Sequence, residues 1–251
     1  MAQNQSRPET TLRFPILFCR RQVWLPTLWG ALLMLVAVAA IVALIAFNAY
    51  ELLAPRQPAS GPAGAGARTL VVEGWMDGEE LQQVVAVVRA GRYERVLTTG
   101  GPIDAAFDAK GWRTHAVRAA AFLRDQGVTG VPVLAVATPA SLQDRTYLSA
   151  VEVRDWAQRS GVALEAIDLF SVGVHTRRSR LLYRMALGDA VEVGAIAARP
   201  RDYDPRRWWG SSAGTKATMG ETLSLAWTVC CFWPAARGSQ EERWAVPEAP
   251  R

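Results

Sequence analysis

The sequence contains few of the residues on which metal and thiol chemistry depend. Its 251 residues include two histidines and three cysteines, which do not make a zinc ligand set. Cys19 precedes a long apolar run, and adjacent cysteines such as Cys230 and Cys231 rarely bridge each other. We therefore predict no disulfide framework and apolar helix packing for that pair. The sequence also lacks a serine nucleophile elbow and a Cys–His pairing.

A basic surface is missing as well. The formal net charge is +5, but residues 1–68 carry +4 of it and the rest of the chain only +1. A protein that binds nucleic acid normally presents a basic face or stripe to the phosphates. Because the folded part is almost neutral, we predict no nucleic-acid partner.

One apolar run is long enough to cross a membrane. From Leu28 to Phe47 the chain carries no charge over 20 residues, and a helix of that length spans a hydrocarbon core of about 30 Å. Trp24, Trp29 and Tyr50 are placed to act as interfacial anchors.

The charges around this run predict its orientation. Four arginines precede it, namely Arg7, Arg13, Arg20 and Arg21, whereas Glu51 and Arg56 follow it closely. The positive-inside rule then places the N-terminus in the cytoplasm and the remainder outside it. The run is longer than a usual signal core, which favours an uncleaved signal-anchor over a cleaved signal. We predict a single-pass inner-membrane protein that contacts the bilayer through residues 28–50.

Five segments follow from composition. They are a cytoplasmic N-terminus (1–27), the membrane anchor (28–50), a Pro/Gly/Ala linker (51–68), an α/β domain (69–233) and a polar, frayed tail (234–251). The linker lacks periodicity and has a coil-like reach on the order of 20 Å, so it is expected to leave the orientation of the domain unfixed.

Strands and helices alternate within the domain. The predicted strands are 69–75, 95–101, 131–137, 166–173 and 190–198, and the predicted helices are 79–91, 114–126, 144–160, 177–187 and 215–232. Apolar strands that alternate with helices indicate a parallel sheet covered on both faces. The predicted fold class is α/β, a Rossmann-like three-layer sandwich with a mostly parallel five-stranded sheet, preceded by one transmembrane helix.

Polar side chains collect where these strands end. Open parallel sheets bind ligands outside the carboxyl ends of their strands, so we expect a site at this edge. Glu73 and His175 are the predicted catalytic acid/base residues. The predicted ligand-binding residues are Thr99, Gly100, Gly101, Asp144, Arg145, Thr146, Arg177 and Arg178.

Each of these roles has a physical basis. The glycine turn can present backbone N–H groups to an anion, although it is not the G-x-G-x-x-G dinucleotide fingerprint. His175 can act as an acid/base group or as a hydrogen-bond donor to phosphate. Arg177 and Arg178 lie about 100° apart on a helix, so only one of them is expected to face the site.

Structural alternatives stay open for several residues. Asp144 can serve as a helix N-cap. Glu73, at the end of a buried strand, needs a partner, which can be Arg177, Arg145 or a bound cation such as Mg²⁺. No metal site is predicted from the remaining pattern.

Three further residues lie outside the predicted site set. In the loop 199–212, Trp208 or Trp209 can stack on a sugar or base, or can pin the loop to the body of the domain. His115, on a predicted helix, is interpreted as a surface residue.

Several motifs follow one another in a fixed order. They are VVEGW, TTGG, DRTYLSAVEVRDW, GVHTRRSRLL and the late RDYDPRRWWGSSAG…GE run. In this order the chain resembles the YdcF/SanA/ElyC-like family over about residues 69–232. The resemblance implies a Rossmann-like domain, often anchored by one N-terminal helix and facing the periplasm, with a general link to envelope and peptidoglycan maintenance. The GVHTRR and VVEGW forms depart from the commoner family patterns, so the resemblance implies no particular ligand.

Two functions stay open at this point. The first is a periplasmic domain that binds an anionic, phosphorylated or nucleotide-like envelope metabolite, with hydrolysis or transfer as the reaction class if chemistry occurs. The second is a non-catalytic, membrane-tethered adaptor for envelope-assembly proteins. A third, an enzyme with a nucleotide cofactor, fits the fold alone, and the missing glycine fingerprint argues against it. The sequence identifies no cofactor.

Overall fold

The computed structural model describes residues 25–61, 64, 66–90, 93–141 and 143–243. The chain divides into two compact units, residues 1–44 and residues 45–251. The basic N-terminal segment and Trp24, on which part of the topology prediction depends, lie outside the described residues.

Helix α1 covers Leu28–Leu53. Within the described ranges it is the one helix long and apolar enough to cross a membrane. Its large apolar side chains are exposed along most of its length, which a helix apolar on all sides tolerates in lipid but not in water. The predicted span from Leu28 thus coincides with a helix.

Six strands form one sheet in the order β1–β6–β5–β2–β3–β4. The strands are β1 (Arg56–Gln57), β2 (Thr69–Glu73), β3 (Arg95–Gly100), β4 (Val133–Ala137), β5 (Ala166–Val172) and β6 (Glu192–Ala198). Strands β2 to β6 pair in parallel, and β1 joins β6 antiparallel. After β4 the chain returns to β5 on the other side of β2, so strand order reverses between β2 and β5.

Helices cover both faces of this sheet. They are α2 (Gly78–Arg89), α3 (His115–Asp125), α4 (Arg145–Ser160), α5 (Thr176–Leu187) and α6 (Ser212–Cys231). Because strand side chains alternate, Leu70 and Val72 pack with α2 and α3, whereas Val71 packs with α4 and α5. Burial of each such side chain stabilises the fold by about 1.5–3 kcal/mol. The predicted α/β class and the mostly parallel sheet are confirmed.

The strand count differs from the prediction because the segment after α1 joins the sheet. Arg56 and Gln57 pair with β6, the Ala59 N–H donates to Asp168 Oδ1 at 2.7 Å, and the Ser60 and Gly61 N–H groups donate to the Glu192 carboxylate. Residues 54–61 are therefore bound to the domain, and this part of the predicted coil-like linker is wrong. Two residues are too few to show strand periodicity, so no sequence pattern marks β1.

The start of the C-terminal tail is ordered against α4 up to Arg243. A short 3-10 turn, Gln240–Arg243, buries Glu242 completely. The Glu242 carboxylate accepts hydrogen bonds from Tyr147 Oη at 2.8 Å and from both terminal nitrogens of Arg154 at 3.0 and 2.8 Å. The prediction of a frayed tail is wrong for this part, and residues 244–251 lie outside the described residues.

The prediction that Cys230 and Cys231 form no disulfide is wrong. Cys230 and Cys231 are joined by a disulfide at the C-terminal end of α6. Both residues are exposed, so they do not provide the apolar packing expected from their place on a helix.

Candidate functional site

A cleft of about 720 Å³ opens at the carboxyl edge of the sheet. The ends of β2, β3 and β4, the start of α3, the start of α4 and the start of α5 surround it. The lining residues with polar or ionisable side chains are Glu73, Trp75, Thr99, His115, Thr138, Ser141, Gln143, Asp144, Arg145, Thr146, Ser149, His175, Arg178 and Glu221. Glu73 ends β2 and His175 follows the end of β5, so the cleft lies where strand order reverses, as expected for an open parallel sheet.

His175 is oriented by a carboxylate from another helix. Its Nδ1 lies 2.8 Å from Glu221 Oε1 on α6, and its ring packs edge-on against Trp75. Arg178 Nη2 also lies 3.0 Å from Nδ1. The ionised Glu221 carboxylate can only accept a hydrogen bond, so its 2.8 Å contact requires a proton on Nδ1, which donates to Glu221 Oε1. The other ring nitrogen, Nε2, is then directed toward Glu73 at 3.7 Å and can exchange a proton with a bound group.

The Glu221 carboxylate is held in place by the Arg178 guanidinium. Arg178 donates to both of its oxygens, from Nε at 2.8 Å and from Nη2 at 3.1 Å. Burial raises the pKa of Glu221, but the hydrogen bonds from His175 and Arg178 outweigh burial and lower the pKa to about 2. The carboxylate is therefore ionised at neutral pH and fixes the tautomer of His175.

Glu73 is buried at the end of β2 and accepts hydrogen bonds from two hydroxyls. Ser171 Oγ on β5 donates to Oε2, and Ser179 Oγ on α5 donates to Oε1 at 3.0 Å. The predicted arginine partners are wrong, because neither Arg145 nor Arg177 pairs with this carboxylate among the described contacts. His175 Nε2 lies 3.7 Å from Glu73 Oε2, so the two predicted acid/base residues do lie side by side.

The glycine turn lets the start of α3 approach the sheet. Gly100 has φ +141°, and a Cβ at this position would meet the Cβ of His115 at 2.8 Å, so a side chain does not fit. His115 is half-buried at the rim, and its Nδ1 is buried without a hydrogen-bond partner in the described structure. Burial, together with Arg118 and Arg145, lowers the pKa of His115.

Asp144 and Arg145 face the cleft from the start of α4. Asp144 occupies the N-cap position, but its side chain makes no capping hydrogen bond, and its φ of 47° is strained for a residue with a Cβ. Burial raises its pKa, and Arg178 opposes this effect. Arg145 is exposed, and among the described residues its guanidinium has no hydrogen bond or ion pair.

Nine of the ten predicted site residues line this cleft, and Arg177 does not. The Arg177 guanidinium instead donates to the Leu52 carbonyl oxygen at 2.9 Å, at the end of α1. Since Arg178 faces the cleft, the expectation that only one of the two arginines does so is confirmed. The N-cap alternative for Asp144 holds for its position but not for its side chain.

The two loop tryptophans separate in the structure. Trp208 is buried and its Nε1 donates to the Ala46 carbonyl oxygen at 3.1 Å, so it pins the loop to the end of α1. Trp209 is 44% exposed and packs edge-on against Phe47. Neither lines the cleft.

Sequence reasoning missed four contributors to the site. His115 was placed on the surface, although it starts α3 at the glycine turn. Glu221 is the single carboxylate of α6, a signal that could have been used. Ser171 and Ser179 have no distinguishing pattern, because hydroxyl residues are common on strands and helices.

No cluster of three or more metal-ligating residues occurs within the described ranges. Comparison with protein-family models, with curated proteins and with solved structures gave no match.

Proposed function

We propose that this cleft binds an anionic, phosphorylated ligand and that His175 acts there as an acid/base group. The observation that supports this most directly is the convergence of both histidines of the chain and the unpaired Arg145 in one cleft. An arginine without an internal partner is available to hold phosphate oxygens through paired hydrogen bonds. His115, beside the glycine turn, is a second donor on the same side.

The arrangement around His175 favours proton transfer over a purely structural role. Glu221 holds Nδ1, which leaves Nε2 as the exchanging atom. For hydrolysis of a phosphate ester, Nε2 takes a proton from the attacking water or gives one to the leaving oxygen. The Glu73 carboxyl group lies 3.7 Å from this nitrogen, on the same side of the ring.

The setting of the proposed site follows from the apolar helix and the family resemblance. We propose that α1 anchors the chain in the inner membrane and that the Rossmann-like domain faces the periplasm. A phosphorylated or nucleotide-like envelope metabolite then suits the glycine turn, the unpaired Arg145 guanidinium and the two histidines of the cleft. A role in envelope or peptidoglycan maintenance rests on the YdcF/SanA/ElyC-like motifs alone.

A phosphate titration of the full chain in neutral detergent tests the binding role. Inorganic phosphate is expected to raise the midpoint of thermal unfolding as its concentration rises, with chloride at equal ionic strength as the reference. Arg145→Gln removes the unpaired guanidinium, and we expect it to weaken phosphate affinity about tenfold, as the loss of one charge-assisted hydrogen bond does.

Arg184→Gln is the matched control, because Arg184 is exposed on α5 and does not line the cleft. Its phosphate response should equal that of the unchanged chain. An absent phosphate response, or equal responses of Arg145→Gln and Arg184→Gln, would contradict the proposed anion site.

A further inference from the structure

Helix α6 carries an apolar stripe on its solvent side. Met219, Leu223 and Trp227 recur every fourth residue and are 56%, 69% and 48% exposed. Their spacing places them on one face of the helix. We call these three residues the α6 stripe.

The opposite face of α6 is also occupied by packed residues. Thr218 and Thr228 are buried, and Ala217 and Leu225 pack against the cluster that contains Tyr50. The helix therefore buries one side in the domain and leaves a second, apolar side without cover among the described residues. Such a helix normally has a further apolar environment next to it.

The end of the apolar run lies beside the start of α6. Residues 45–53 of α1 belong to the same unit as α6. Within this unit Phe47 packs against Trp209, with ring centroids 5.1 Å apart, and Trp208 hydrogen-bonds to Ala46. Phe47 is also the last residue of the apolar run 28–47 that is proposed to cross the membrane, so that proposal puts a bilayer boundary near this contact.

Unpaired cations precede Trp209 in the sequence and lie on the first turns of α6. Arg206, Arg207 and Lys216 are exposed, and none of their side chains forms an ion pair within the part of the chain that the structure describes. Glu221, the single carboxylate of α6, is turned toward His175 and Arg178. The surface thus combines aromatic and aliphatic side chains with positive charge, the composition of a membrane-interface surface.

We propose that the α6 stripe, with Trp209 and the neighbouring cations, lies on the surface of an anionic lipid bilayer. A second copy of the chain fits less well, because a two-fold interface would bring the same cations of both copies together. Anionic lipid headgroups attract these cations, while the stripe enters the apolar boundary layer. The proposal is independent of the ligand cleft.

A fluorophore placed on the stripe tests this contact in the full chain. Cys19, Cys230 and Cys231 are replaced by Ser, Leu223→Cys is labelled with a solvent-sensitive dye, and the protein is reconstituted into anionic vesicles that contain brominated lipid. Lipid contact is expected to quench the dye at least about twofold more than at a control position outside the bilayer. Val117→Cys is that control, because Val117 is an exposed apolar residue on α3.

The charge requirement is tested in the same vesicles. Arg206→Gln combined with Arg207→Gln should reduce quenching at position 223 in anionic vesicles and leave it unchanged in zwitterionic ones. Equal quenching at positions 223 and 117 overturns the proposal. A dye that is shielded from water but not quenched by lipid also contradicts the proposal. Shielding that depends on the protein-to-lipid ratio would indicate contact with a second copy of the chain. Shielding that is lost in a chain ending at Arg243 would indicate contact with residues 244–251.

Discussion

Glu221 controls how His175 presents its ring to the cleft. The carboxylate accepts from Nδ1, and Arg178 holds it in place from the other side. His175 alone would be free to rotate about its side-chain bonds, and Nε2 would then have no fixed direction. At the residue scale, the acid/base role proposed for His175 therefore depends on a carboxylate 46 positions further along the chain.

Replacement of Glu221 by Gln should destabilise the fold in a pH-dependent way. The pKa of Glu221 lies near 2 in the folded chain, below its ordinary value of 4.5. Its charge therefore stabilises the fold by on the order of 3 kcal/mol above pH 4.5, and this contribution disappears as the pH falls toward 2. Urea unfolding of the unchanged chain and of Glu221→Gln at several pH values measures the difference.

The control is Glu165→Gln, which alters an exposed carboxylate. Its effect on the free energy of unfolding should be small at every pH. If the Glu221→Gln effect stays constant between pH 7 and pH 3, the low pKa assigned to Glu221 is wrong.

At the element scale, periodicity predicts the regular strands and helices, whereas polar contacts determine the turn Gln240–Arg243. The five predicted strands and five predicted helices all occur, and their ends differ from the prediction by three residues or fewer, because Gly and capping residues mark them. The turn Gln240–Arg243 has no apolar pattern. It is fixed by one buried carboxylate, Glu242, against Tyr147 and Arg154.

Glu242→Gln should release this turn. Burial raises the pKa of Glu242, but hydrogen bonds from Arg154, the Gly238 N–H and Tyr147 outweigh it and lower the pKa, so the buried group is a carboxylate at neutral pH. Removal of its charge leaves Arg154 without its main partner and should lower the free energy of unfolding by about 3 kcal/mol.

Thermal or urea unfolding at pH 7 measures this loss. Glu241→Gln changes the neighbouring exposed carboxylate and should have little effect. Equal effects of the two substitutions would show that the Glu242–Arg154 contact does not hold the tail.

At the scale of the whole molecule, the segment after α1 is part of the domain. Its backbone donates to Asp168 and Glu192, and β1 extends the sheet. This approach requires a glycine on β6, because a Cβ at Gly194 would overlap the Ala59 nitrogen and Asp168 Oδ1.

Gly194→Ala should therefore displace residues 54–61 from the sheet. We expect trypsin to cut after Arg56 several-fold faster in this variant, because cleavage follows local opening of the segment. The full chain in detergent is digested, and the fragments are identified by mass. Gly130→Ala serves as the control, since a Cβ there meets nothing within 4 Å. An unchanged cleavage rate in Gly194→Ala would contradict the tight contact.

The sequence by itself determined the apolar helix, the alternation of strands and helices, and the edge at which Glu73 and His175 meet. These features depend on local periodicity and on the rule that parallel strands end at one edge. Tertiary structure decided the partners of those residues. Glu221, Ser171 and Ser179 reach the site from elements far apart in sequence, Arg177 turns to α1, and Glu242 and Asp168 hold segments without any periodic pattern. Such contacts depend on how the helices and strands pack together, and the local periodicity of the sequence does not determine that packing.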